Sequence, residues 1–244
     1  MTDRFLVAAV VLVAACSGPA PAPGPGPEPY PWHTRIVSTT FWVGEVFDPR
    51  AEDGSQVESS YDAQWLAHYG GCDGVERDER CDTEPRTAAN GYFPTVLAPR
   101  ENPFYLDLPF DDVNDPGAFG ERAVVVPWAG RPEFAGKATD PSVSLMKNRW
   151  VEVRRGDRVC YGQIEDAGPG VYDDSAYVFS TTDTRPANSR YNGAGLDVSP
   201  ALNGCLGFGE LNGETDLVDW RFAENDEVPP GPWQRIITTS GVTG

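Results

Sequence analysis

The chain has 244 residues and a formal net charge of −18, from 37 Asp and Glu residues against 19 Lys and Arg residues. A protein this acidic is not expected to bind nucleic acid or an anionic membrane surface, because both would repel it. The sequence also lacks a phosphate-binding loop, a dinucleotide-binding turn and a Gly-x-Ser-x-Gly elbow, so we expect no cofactor.

The first 15 residues predict a signal peptide. Arg4 precedes an apolar run over residues 5–15, which is too short to span a bilayer and fits the core of an export signal. Cys16 follows directly, and the sequence Val-Ala-Ala-Cys resembles the bacterial lipobox, whose Cys becomes the lipidated first residue. We therefore expect an exported protein held in the cell envelope by lipid on Cys16, at the outer membrane, in the periplasm or at the cell surface. An ordinary signal peptide cleaved near Ala15 is the alternative.

Residues 16–31 predict the lipidated Cys and a tether, because their Pro, Gly and Ala content prevents them from packing a core. Residues 32–244 are long enough for one sizeable domain. Their short β-branched and aromatic runs, separated by Gly and Pro, predict a mainly β barrel or sandwich. The predicted strands are residues 36–47, 104–108, 123–128, 150–153, 159–164, 177–180, 195–198, 218–222 and 235–239, with a short helix or strand at 61–69 and a helical turn at 199–202.

Four cysteines lie in this domain, and an even number in an exported protein predicts two disulfides. Three connectivities are possible. We favour Cys72–Cys81, which closes a polar loop, and Cys160–Cys205, which joins two strand motifs. The chain has neither a Cys-x-x-Cys pair nor a His-rich cluster, so we expect no metal site.

Two motifs are the most informative part of the domain. The first, WVEVRRGDRVCYGQIEDAGP, ends in a turn that carries Asp166, and the second, GLDVSPALNGCLG, carries Asp197. With the opening strand STTFW and the closing strand VDWRF, they resemble the double-psi β-barrels of rare lipoprotein A, expansins and family 45 glycoside hydrolases. The resemblance implies a six-stranded double-psi barrel, here with short helices and long loop insertions at residues 48–135 and 171–194.

The resemblance also implies chemistry on polysaccharides. Asp197 matches the strand acid of lytic transglycosylases and family 45 hydrolases, and Asp166 matches the Asp-x-Gly-Pro acid of rare lipoprotein A. Val43 stands where the family 45 catalytic base would be, and Glu45 is a possible substitute on the same strand face. Asp166 could instead cap backbone amides in its turn, Asp197 could cap the helical turn after it, and Glu45 could be an exposed acid at a strand end.

Sugar rings stack on flat aromatic faces that have polar edges. We therefore expect substrate contacts at Trp42, Tyr172 and Tyr191, with Arg190 and Asn192 binding sugar hydroxyls. His68 is either a second functional group or a loop histidine. The acids Asp107, Asp111, Asp112 and Asp115 resemble a calcium loop without its ligand spacing, and we expect them in a solvated loop.

These residues predict a lipoprotein that binds peptidoglycan or a neutral glucan in an acidic groove and cleaves it by hydrolysis or lytic transglycosylation. A non-catalytic, expansin-like binding or loosening module is the first alternative. A barrel used only for protein–protein contact is the second, because one fold supports all of these roles.

Overall fold

A computed structural model describes residues 30–50, 54–78, 80–211 and 213–243. The signal peptide, Cys16 and nearly all of the tether lie outside the described residues. Within the described part of the chain, no helix is long and apolar enough to cross a membrane.

The described residues form eight strands: β1 (His33–Thr40), β2 (Val75–Arg77), β3 (Arg80–Asp82), β4 (Tyr105–Leu108), β5 (Trp150–Arg155), β6 (Arg158–Ala167), β7 (Leu196–Val198) and β8 (Asp216–Ala223). Six of them form a closed barrel in the order β1-β7-β4-β6-β5-β8, and β2 and β3 form a separate hairpin. The barrel is mixed, because β1–β7 and β4–β6 are parallel pairs and the other pairs are antiparallel. The prediction of a mainly β fold with a six-stranded barrel is confirmed.

The barrel core follows from alternation along the strands. Leu106 and Leu108 on β4 and Leu196 and Val198 on β7 are at most 1 % exposed. Successive side chains of a strand project to opposite faces, so the residue between each apolar pair projects away from the core. That residue is Asp107 on β4 and Asp197 on β7.

The part of the chain that the structure describes has four short helices: α1 (Trp65–Tyr69), α2 (Pro116–Val125), α3 (Ser175–Val178) and α4 (Pro200–Leu206). Single 3₁₀ turns lie at Ala88–Asn90, Pro132–Phe134, Tyr191–Gly193 and Pro232–Gln234. The prediction of strands at residues 123–128 and 177–180 is wrong. Asp115 caps α2 ahead of Pro116 and Asp174 caps α3, so both apolar runs begin within short helices, and each run continues into a turn after the helix ends.

Two further strand predictions need correction. The first strand ends at Thr40 and not at residue 47, because Gly44 adopts φ +89° and starts a loop. Residues 235–239 form no strand, and the side chain of Gln163 bonds the backbone of Thr238 in this segment instead. The helical turn expected at residues 199–202 is the start of α4.

Both favoured disulfides, Cys72–Cys81 and Cys160–Cys205, are confirmed. Cys160–Cys205 joins β6 to α4, and α4 directly follows β7 along the chain. The disulfide thereby keeps β6, which carries Asp166, close to the chain that follows β7, which carries Asp197.

Candidate active site

Three aspartates lie side by side across neighbouring strands. Asp107 on β4 is opposite Asp197 on β7 and, on its other side, opposite Asp166 on β6. Thr39 on β1 continues the line beyond Asp197. Neighbouring strands are about 4.8 Å apart and opposed residues project from the same face, so three carboxyl groups share one face of the barrel. We call Asp197, Asp107 and Asp166 the acid row.

A register irregularity between Leu106 and Asp107 decides which acid of β6 joins the row. Leu106 is opposite Ile164, yet Asp107 is opposite Asp166, so Glu165 is left out of the pairing. Glu165 is instead buried with Lys147, whose Nζ lies 2.7 Å from its Oε2. The irregularity therefore separates a buried ion-paired acid from an acid of the row.

Asp197 has the properties of a proton donor at neutral pH. Burial raises its pKa to about 8, with additional contributions from the nearby carboxyl groups of Glu45 and Asp166. Its Oδ1 is buried and has no hydrogen-bond partner among the described residues. Asp197 does not cap the following helix, contrary to the alternative expectation, because the Ser199 side chain accepts the hydrogen bond from the Leu202 N–H.

Asp107 occupies the centre of the row and was not recognised as a site residue from the sequence. Asp107 is 4 % exposed, and its pKa is raised well above the usual range. Burial is the largest cause, and the charges of Asp197 and Asp166 add to it. Its Oδ1 accepts the backbone N–H of Asp197 at 3.1 Å. Gly168 leaves room for it, since a Cβ there would lie 2.8 Å from Asp107 Oδ2. The Leu-Asp-Leu alternation in β4 was the signal that could have identified this buried acid.

Asp166 is held by hydrogen bonds on both oxygens. Its Oδ1 accepts the backbone N–H groups of Ser60 and Ala167, each at 2.8 Å, and its Oδ2 accepts the side-chain amide of Gln56. Burial raises its pKa to about 6, while the bonds from Ser60 and Ala167 act in the opposite direction. The expected capping of turn amides is therefore present at Ala167, together with a position in the acid row.

The loop after β1 brings Glu45 and Gln56 to the row. Backbone hydrogen bonds run from Gly44 N–H to Gln56 O and from Gln56 N–H to Glu45 O, each 2.8 Å long. Gln56 contacts Asp166, and Glu45 lies close enough to raise the pKa of Asp197. Burial raises the pKa of Glu45 itself to about 7. We call residues 44–50 and 54–60 the cover loop.

The two tyrosines expected to bind sugar lie near the row. Tyr172 is 47 % exposed, and its pKa is raised to about 12. Burial of the hydroxyl is the largest cause, and the charges of Asp166 and Asp107 add to it. Tyr191 is 49 % exposed and also contributes to that shift. The Arg190 guanidinium donates to the Tyr191 hydroxyl at 2.8 Å. Tyr172 and Tyr191 therefore present partly exposed aromatic surface beside the carboxyl groups.

The other two residues expected to bind substrate have partners within the protein. Trp42 is 8 % exposed, and its indole N–H donates to the backbone oxygen of Cys81 at 2.9 Å. The Asn192 side-chain amide donates to the Glu214 backbone oxygen at 3.1 Å. A role for either residue in substrate binding stays a prediction.

The expectation of a solvated loop is wrong for Asp107, Asp111 and Asp112, which are buried, whereas Asp115 is partly exposed. Asp112 is fully buried, pairs with Arg122 at 3.3 Å and accepts the Ser144 hydroxyl at 2.6 Å. Asp115 caps α2, and Asp111 accepts the N–H groups of residues 113 and 114. Within the described ranges, no group of three or more His, Cys, Asp or Glu side chains could hold a metal ion.

His68 has a defined partner away from the acid row. Its Nδ1 lies 2.7 Å from Oδ2 of Asp62, which is 1 % exposed and also accepts the Thr243 hydroxyl at 2.6 Å. The histidine is therefore oriented by a buried carboxylate, but no described contact links it to Asp197.

No family model, curated protein or solved structure matches this chain. Carboxyl groups with pKa values between about 6 and 8 exchange protons near neutral pH, as general acid and base catalysis requires.

Proposed function

We propose that this protein is an exported, lipid-anchored double-psi β-barrel that binds a polysaccharide and cleaves its glycosidic bonds, with Asp197 as the general acid. One observation carries the proposal. Asp197 has a buried oxygen to which no residue of the described part of the chain is hydrogen-bonded, and a pKa raised to about 8, so it is protonated at neutral pH and able to donate.

The chemical step uses groups that are already close together. Asp197 transfers its proton to the glycosidic oxygen, the bond between this oxygen and the anomeric carbon breaks, and positive charge develops on the sugar ring. In hydrolysis, Glu45 would take a proton from the attacking water. In lytic transglycosylation, a hydroxyl of the same sugar attacks in place of water, and its proton goes to the carboxylate of Asp197, which has just donated its own. The sugar stacks on Tyr172 and Tyr191 in both cases.

Incubation of the protein with peptidoglycan and with a neutral β-glucan tests this proposal. We expect new soluble fragments from one substrate, a loss of at least a hundredfold in rate for Asp197→Asn, and a smaller loss for Asp166→Asn. Mass spectrometry of the fragments separates hydrolysis, which adds water, from transglycosylation, which leaves an anhydro sugar. If wild-type protein leaves both substrates intact, the enzymatic proposal is rejected.

A non-catalytic, expansin-like role is the second candidate. The observation that favours it is the contact of the cover loop with the acid row. Gln56 and Ser60 of this loop donate hydrogen bonds to the two carboxyl oxygens of Asp166. Retention of the protein on insoluble polysaccharide, without any release of fragments, would support this role.

The proposed double-psi topology is supported by the two sequence motifs on β6 and β7 and by parallel pairs within a closed six-stranded barrel. Export and lipidation are proposed from residues 1–16. Incorporation of labelled palmitate into the wild type, but not into Cys16→Ser, would test the anchor, and equal labelling of both would reject it.

A further inference from the structure

A cavity of about 560 Å³ lies next to the acid row, outside the six-stranded barrel. Four chain segments supply its walls: residues 58–60 and 63, residues 113–114, residues 141–142 and residues 242–243. Its volume is within the roughly 300–1,000 Å³ that is usual for small-molecule sites. None of these lining residues belongs to the motifs that resemble the barrel family.

Ser60 connects this cavity to the acid row. It lines the cavity, and its backbone N–H donates to Asp166 Oδ1 at 2.8 Å. Asn114, which also lines the cavity, donates from its side chain to the Ser60 backbone oxygen at 2.6 Å. A ligand in the cavity is therefore one residue away from the carboxyl groups.

The walls are fixed by hydrogen bonds between distant parts of the chain. Thr243 exchanges backbone hydrogen bonds with Tyr61 and Ala63, each 3.0 Å long, and its hydroxyl donates to the buried Asp62 at 2.6 Å. These bonds hold the C-terminal segment against residues 61–63, which directly follow the cover loop. The cavity is thus preformed, which lowers the entropic cost of binding.

The lining determines which ligand chemistry fits. It combines apolar surface from Ala63, Val113, Pro141 and Val242 with hydroxyl, amide and carboxyl groups from Ser59, Ser60, Asn114, Ser142, Thr243 and Glu58. Lys, Arg and His are absent from the residues that line it, and Glu58 is exposed there. An anionic ligand would therefore meet a carboxylate and no positive charge, whereas a neutral sugar offers hydroxyls to the polar groups and C–H surface to the apolar ones.

We infer that this cavity is a subsite that binds uncharged sugar units of the glycan. These units lie next to the glycosidic bond that is cleaved at the acid row. The inference rests on the proposed function, and it specifies the substrate as a neutral glycan. An anionic polymer is excluded from this subsite by the carboxylate and by the net charge of −18.

The test measures binding of cellohexaose and chitohexaose to the Asp197→Asn protein by calorimetry, with hexagalacturonate as the anionic probe. Ala63→Trp fills the cavity from an exposed lining position, and Ser142→Trp does so from a second exposed lining position on a different chain segment. Val124→Trp is the matched control, because Val124 is 87 % exposed on α2 and does not line the cavity. We expect one neutral hexasaccharide to bind, each cavity variant to weaken its affinity at least about tenfold, and the control to leave it unchanged.

Binding that is equal in all three tryptophan variants, no binding of either neutral hexasaccharide, or preferential binding of hexagalacturonate would overturn the inference. Thermal unfolding of each variant checks that the fold is retained. Cleavage assays separate the two proposals. If Ala63→Trp cleaves the glycan at the wild-type rate, the subsite is rejected and the proposed activity stands. If binding depends on the cavity but no cleavage occurs, the subsite stands and the proposed activity is rejected.

Discussion

Asp107 lies directly opposite Asp197 on the neighbouring antiparallel strand, and its carboxylate accepts the backbone N–H of Asp197 at 3.1 Å. The two acids are thereby held on one face of the barrel with raised pKa values. Two carboxyl groups this close resist simultaneous ionisation, which keeps a proton in the site at neutral pH.

The first prediction concerns this pair. Asp197→Asn leaves the backbone N–H that Asp107 accepts but removes the carboxyl group of Asp197. The charge of Asp197 is one cause of the raised pKa of Asp107, so the pKa of Asp107 falls in this variant. Carbon NMR of the labelled side-chain carboxyl group of Asp107 over a pH series measures the change. An unchanged Asp107 titration in Asp197→Asn would show that the two acids do not interact.

The second prediction is that the protein loses stability as pH rises from about 4 to about 8. The folded pKa of Asp197 is raised from its ordinary 3.8 to about 8, so the folded state binds the proton more tightly than the unfolded state does. The resulting stabilisation is complete below the unfolded pKa and is lost as pH rises through the folded pKa. Each such group contributes a slope of at most about 1.4 kcal/mol per pH unit.

Urea unfolding at pH 5, 6, 7 and 8 measures this slope. Asp197→Asn removes the titrating group and should make the free energy of unfolding less dependent on pH across that range. Glu45 and Glu165, whose pKa values are both raised to about 7, should leave part of the slope in the variant. A stability that rises between pH 5 and pH 8 in the wild type would contradict the prediction.

The third prediction concerns Gln56 and Asp166, which join the cover loop to the row. The two carboxyl oxygens of Asp166 now accept hydrogen bonds from three donors. Asp166→Asn leaves one acceptor oxygen and replaces the other with an N–H₂ donor. At least one of the three donors therefore loses its partner. We expect a loss of about 1–3 kcal/mol in the free energy of unfolding. The double variant Asp166→Asn with Gln56→Glu reverses the donor and acceptor and should recover part of it. Chemical denaturation of the three proteins measures both effects, and an Asp166→Asn protein as stable as the wild type would refute the assignment.

The fourth prediction concerns the space around Asp107. Gly168→Ala would place a Cβ 2.8 Å from Asp107 Oδ2, which is closer than unstrained contacts allow. We expect a loss of about 1–3 kcal/mol from overpacking. Gly209→Ala is the matched control, because a Cβ there meets nothing within 4 Å. Thermal denaturation compares the two variants, and equal stabilities would argue against the close approach of Gly168 to Asp107.

Much of the barrel was predictable, because alternation and turn residues act locally. The strands near residues 104–108, 150–164, 195–198 and 218–222 were predicted close to their observed bounds. The errors at 123–128 and 177–180 came from short apolar runs, which periodicity alone cannot assign to a strand or a helix. At both places a capping aspartate decided for the helix.

The sequence by itself determined the mainly β class and the expectation of two disulfides, since these depend on residue types along the chain. The favoured cysteine pairing was one of three, and Asp166 and Asp197 were singled out through the resemblance of their motifs to a barrel family. Only the tertiary structure added Asp107 as the third acid, because its significance arises from strand pairing between residues 90 positions apart. The register irregularity that selects Asp166 over Glu165, and the desolvation that raises the pKa of Asp197, likewise exist only when β4, β6 and β7 lie side by side. Burial and close approach of like charges are properties of the folded barrel, and they give ordinary aspartates the protonation states on which the proposed chemistry depends.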